Sequence, residues 1–133
     1  MLFANDLMRV TWQCVHFSLP DQEEDGLTSR LKSSGFQVFE SDGSDLETKE
    51  HLFTAIAKAM IFPEYFGGNW DALHECLRDM EWLPAKGYVL FFRNAEQFWR
   101  RVPLVAGTFV EIWLSSAEEW SCEGVPFHLV FLW

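Results

Sequence analysis

The chain has 133 residues, 49% of them hydrophobic and 17% aromatic, with 20 acidic against 10 basic side chains and a formal charge of −10. That length and apolar content suffice for one folded domain with a sizeable core and exclude a disordered chain. The acidic excess opposes nucleic acid or an anionic membrane as a binding partner and favours a basic protein.

Residues 10–19, VTWQCVHFSL, are rich in β-branched and aromatic types and end at Pro20, which predicts a strand. An acidic patch follows at 21–25. Leu27 and Leu31 then offer a thin apolar stripe before Gly35, predicting a short helix over 27–34 closed by that glycine. Residues 36–40 alternate as a strand does, and Asp42-Gly43 marks a turn. Residues 46–60 read as a helix with Leu52, Phe53, Ile56, Ala59 and Met60 inward, capped by Ser44 or Asp45.

Beyond residue 80, Trp82-Leu83-Pro84 and Lys86-Gly87 make a connector, and residues 88–92, YVLFF, have the composition of a strand covered on both faces. Residues 94–99 read as a short helix. Pro103 opens the next, with Phe109, Ile112 and Trp113 inward and Trp120 a further candidate; Gly124 ends it, and residues 126–132 form the last buried strand. Strands alternating with helices predict an α/β fold, a small parallel sheet of three to four strands flanked by helices. No repeat or linker divides the chain, so residues 1–133 are expected to form one domain, in which 1–35 either add a strand and a helix to the sheet edge or are loosely held.

Residues 62–80 stand apart. Pro63 stops any helix arriving from before it, Gly67 and Gly68 permit positive φ, and Asn69 is a good N-cap for a helix over 69–81. Trp70, Leu73, Leu77 and Met80, spaced by three, four and three, make one apolar stripe. Asp71, Glu75 and Asp79, spaced by four, stack along another face, where each like-charged pair costs a few tenths of a kcal/mol, roughly. Asp71 can serve the helix dipole and Arg78 can partly neutralise Glu75, but the full row suggests a surface built for something strongly positive. Tyr65, Phe66 and Trp70 have core character; Trp70 and one of the others are expected to be largely buried, with the Tyr65 hydroxyl the best candidate for an exposed contact.

Two chemical uses of the row compete with a binding surface. Asp71 and Glu75 as paired acid and base, or His74 as a base, lack any accompanying phosphate loop, GxSxG turn or Cys-His pair. A metal held by Asp71, His74, Glu75 and Asp79 needs three or four converging ligands, and His16, His51 and His128 lie in separate elements. No catalytic, cofactor or metal role is therefore assigned.

The run PEYFGGNWDALHECL, followed by WLP and GYVLFF, closely resembles the barstar-like family of intracellular inhibitors of secreted microbial ribonucleases. The weaker resemblance extends from about Phe36 to the C-terminus. It implies an inhibitor or immunity protein whose acidic helix and preceding loop occupy the phosphate site of a basic ribonuclease or nuclease toxin. Carried over, Asp71 and Glu75 fall on the two acidic positions that enter that site, with Glu75 in place of an aspartate; Tyr65, Gly67 and Asn69 fall on the contacting loop. His74 stands where the family has tryptophan, Met80 near another aromatic contact, and Ser115 near a third acidic contact on the late helix, for which Glu111, Glu118 or Glu119 are alternatives. Asp79 completes the acidic row. The runner-up is a barstar-fold module for a different basic toxin or regulatory protein.

Cys14, Cys76 and Cys122, odd in number and in no CxxC pair, fit reduced thiols, and Cys76 fits a packing role. Residues 1–10 lack a basic start and a long apolar run, so a cytoplasmic location is expected, as a monomer when free.

Overall fold

Four strands, β1 (Val15–Ser18), β2 (Phe36–Asp42), β3 (Gly87–Arg93) and β4 (Phe127–Leu132), form an all-parallel sheet in the order β1-β4-β3-β2. They belong to a computed structural model that describes residues 2–20 and 24–133. The acidic patch predicted at 21–25 lies partly outside those residues.

The largely apolar runs of β3 and β4 are explained by two covered faces. Leu7 on α1 (Ala4–Leu7) and Leu31 on α2 (Glu24–Ser33) pack with Phe36, Val89, Phe91, Val130 and Leu132 on one face. On the other, Phe39, Tyr88, Leu90, Phe92, Phe127, Leu129 and Phe131 meet α3 (Lys49–Ala59), α4 (Trp70–Asp79), α5 (Ala95–Arg101) and α6 (Pro103–Ser121). β1 thus joins the sheet, and α1 and α2 close its second face. Leu7 and Leu31 are fully buried, each stabilising the fold by about 2 kcal/mol through lost apolar area. Arg93 fastens α2 to the sheet by pairing with Glu24 and, at 2.9 Å, with Glu40 of β2.

Several boundaries differ from the sequence expectation. β1 begins at Val15 rather than near residue 10, because residues 9–14 leave the sheet to cross toward α6. α1 was not anticipated, and α2 starts before the thin stripe that predicted it. α3 starts at Lys49, capped by Thr48, whose hydroxyl accepts from the His51 N–H at 3.1 Å; neither Ser44 nor Asp45 caps it. Asp42 has taken that segment for a turn, accepting from the Ser44 N–H at 2.8 Å. Gly35 follows α2 at φ +89°, the left-handed conformation expected of it.

A histidine pair ties the extension to the sheet. His128, fully buried on β4, donates from Nε2 to the Arg9 carbonyl at 2.8 Å and accepts at Nδ1 from His16 Nε2 at 2.9 Å. With Nδ1 accepting and Nε2 donating, the His128 ring is neutral. Burial first, then the neighbouring His128, lowers the His16 pKa to about 4, against the opposing pull of Asp6. Burial lowers His128 as well; its bond to Arg9 O and the Asp6 charge oppose that shift and the Arg9 charge assists it. Folded pKa values below the unfolded one near 6.5 mean that the unfolded chain binds more protons in acid. Stability is therefore complete above about pH 6.5 and falls as the pH drops toward 4. Because His16 is only partly buried, its share is on the order of 1–2 kcal/mol. Urea midpoints for His16→Gln should be flatter than wild type between pH 6.5 and 4.5; parallel curves would remove the pair as the cause.

Candidate partner-binding site

α3 closes with a six-to-one bond from the Phe62 N–H to the Ala57 carbonyl at 2.9 Å, with Ile61 at φ +56°. The helix therefore ends before Pro63, and the chain enters a loop over residues 61–69. That loop is held from below by aromatic rings: Phe62 against Phe66 and Trp82, and Phe53 of α3 edge-on to Phe66 and Trp70. The Trp82 indole N–H also donates to the Met60 carbonyl at 3.3 Å. Phe66 and Trp70 are half-buried by these contacts, whereas Tyr65 is 70% exposed. Of the two glycines, Gly68 uses positive φ, at +66°, and Gly67 does not.

Asn69 caps α4 as expected, its side-chain oxygen accepting from the Ala72 N–H at 2.8 Å. Leu73, Cys76 and Leu77 face the core, leaving Asp71, Glu75 and Asp79 exposed. Loop and helix enclose a cleft of about 90 Å³ lined by Tyr65, Phe66, Gly67, Ala72, Glu75, Cys76 and Asp79. Partial desolvation, then the Asp79 carboxylate, raises the Tyr65 pKa, so the phenol remains a hydrogen-bond donor at neutral pH. Burial, then Asp79 and Glu75, raises the Cys76 pKa and keeps it a thiol, consistent with packing.

Met80 departs from the expected surface. It occupies the C-cap of α4 at φ +49°, and that left-handed turn delivers its side chain into the core, where it is 0% exposed. Its side chain has no surface to offer a partner. Arg78 also departs from expectation: it pairs at 3.5 Å with Glu119 of α6, not with Glu75. Glu119 also lies 3.4 Å from His74 Nε2, off the line of a hydrogen bond, and that buried nitrogen has no hydrogen-bond partner among the described residues.

α6 flanks α4 and extends its surface. The Trp120 indole N–H donates to the Leu77 carbonyl at 2.9 Å, locking the two helices together. Ser115 is exposed on α6, as are Glu111, Glu118 and Glu119, and of these only Glu119 pairs with α4 side chains among the described residues. Glu119 thus lies against the α4 face.

The described residues contain no group of three His, Cys, Asp or Glu side chains placed to hold one metal ion. No helix among them is long and apolar enough to cross a membrane. What fold and surface define is an α/β protein presenting a braced acidic helix and an exposed aromatic loop. The chain belongs to the barstar (barnase inhibitor) family, whose model matches residues 36–132. No curated protein matches the chain significantly.

Proposed function

We propose that this protein is a cytoplasmic, non-catalytic inhibitor, of the immunity or antitoxin type, that blocks the active site of a basic ribonuclease with α4 and the loop over residues 61–69. The observation that carries the reading is the row Asp71, Glu75 and Asp79, exposed together on a helix that buries Leu73, Cys76 and Leu77 on its other side. A ribonuclease holds phosphates with Arg, Lys and His, and carboxylates on a rigid helix can take the phosphates' places. Tyr65, Gly67, Asn69 and His74 frame that row, and Ser115 with Glu119 extends it onto α6.

Membership of a family described as barnase inhibitors supports the partner class. Because the α4 face is preorganised, little ordering entropy opposes association, and the net charge of −10 steers a basic partner from a distance. The test is RNA cleavage by barnase and other basic microbial ribonucleases with this protein at equimolar concentration. Stoichiometric inhibition is expected for a cognate enzyme, with an association rate that falls on the order of tenfold between low and physiological salt. An association rate indifferent to salt would contradict the electrostatic plug and favour a mainly apolar interface.

A further inference from the structure

Residues 9–14 form a second exposed surface beside α6, outside the family-matched region. Trp12 is 83% exposed there, although its neighbour Cys14 is buried. The segment is anchored at both ends: the Arg9 carbonyl accepts from His128, and the Cys14 carbonyl accepts from the Leu129 N–H at 2.9 Å. An indole on a backbone pinned in this way is a preorganised contact, since little freedom remains to be lost on binding.

Trp12 and Leu114, itself 41% exposed, line a cleft of about 490 Å³ with Val10 and Glu118. A second cleft, of about 620 Å³, opens on the other side of Trp12 and contains Asp6, Arg9 and His16. Glu118 precedes Glu119, the residue that meets His74 and Arg78 of α4. Through these consecutive residues α6 carries one carboxylate against α4 and another into the cleft beside Trp12. Among the described residues lining that second cleft, Arg9 is the cation that accompanies Asp6.

We infer that Trp12, Leu114 and Glu118 form a second contact subsite for the same ribonuclease that α4 engages, taking one of its arginine or lysine side chains. The inference rests on the inhibitor reading of α4. A cation stacked on the indole face and paired with Glu118 satisfies the aromatic and the carboxylate together, and Leu114 shields the pair from water. The stem of the same side chain covers the apolar wall of the cleft. The partner is basic by the argument that placed it on α4, so charge complementarity extends over both subsites. Residues 1–35 then do more than close the sheet: they add a specificity element to the inhibitor surface.

The experiment measures Kd for a basic microbial ribonuclease that the full-length protein inhibits, with Trp12→Ala, Trp12→Phe, Glu118→Gln and the double variant Asp71→Asn/Glu75→Gln. Trp12→Ala should weaken binding on the order of tenfold, mainly through faster dissociation, and Trp12→Phe should retain part of the affinity. Glu118→Gln should weaken it a few-fold, and its effect should shrink in the Trp12→Ala background because the two groups hold one cation. Unfolding midpoints should stay at the wild-type value, since both side chains are exposed. If Trp12→Ala and Glu118→Gln bind as wild type while Asp71→Asn/Glu75→Gln binds at least a hundredfold more weakly, the second subsite is overturned and the inhibitor reading stands. If all the variants bind as wild type, or the wild type inhibits no member of the panel, the inhibitor reading falls and the subsite with it.

Discussion

Asp71→Ala combined with Glu75→Ala is expected to weaken binding to the inhibited ribonuclease by several kcal/mol, about three orders of magnitude in Kd. Both carboxylates are exposed in the free protein, so neither has lost its hydration until the partner arrives. In the complex each would be desolvated against a phosphate-binding cation, and truncation would strand that cation without a partner. The general range for such losses draws in part on the barnase–barstar pair itself, so its size is carried over from the family. The fold should be spared: Asp71 contributes to the α4 dipole by about 0.3–1 kcal/mol, and relief of the like-charged row offsets part of that. Titration of inhibition, with an unfolding curve as control, separates the two. Unchanged inhibition by a folded double variant would remove α4 as the plug.

Trp113→Ala should produce the largest loss of stability, about 3–5 kcal/mol. Trp113 is wholly buried on α6, stacks on Phe127 with ring centroids 4.4 Å apart, and donates from its indole N–H to the Phe127 carbonyl at 3.3 Å. It therefore bolts α6 to the start of β4, and α6 in turn sets where Glu119 meets α4. Truncation leaves a ring-sized cavity in a core whose total margin is of the order of 5–15 kcal/mol. The melting temperature should fall by on the order of 10 °C. Trp113→Phe, which keeps a ring and loses the hydrogen bond, should cost about 1–2 kcal/mol. A loss below about 1 kcal/mol for the alanine variant would show that α6 is held mainly elsewhere.

Local patterning anticipated much of the architecture. The largely apolar runs at 88–92 and 126–132 have the length and composition expected of buried strands, and they are the two central strands. Asn69 before Trp70 marked the start of α4, and the spacing of Leu73 and Leu77 against Asp71, Glu75 and Asp79 separated its buried side from its exposed one. Where boundaries were missed, a competing local hydrogen bond won, as when Thr48 capped α3 in place of Ser44 or Asp45. Met80 satisfied the apolar spacing and is buried as that spacing predicted; its assignment to the partner surface came from resemblance and was overruled by the left-handed turn at the helix end.

The residues alone established an acidic α/β chain of alternating strands and helices with one carboxylate-lined helix. Periodicity reports which side of an element is apolar, because it depends only on the geometry of that element. It carries no information about which element lies opposite. The pairing of Glu119 with Arg78 across 41 positions, the bond from His128 to the Arg9 carbonyl across 119, and the closure of the second sheet face by α1 and α2 were settled by packing. So was the exposure of Trp12, which strand composition alone leaves open. It projects to solvent because β1 begins three residues later, once the chain has been drawn over α6.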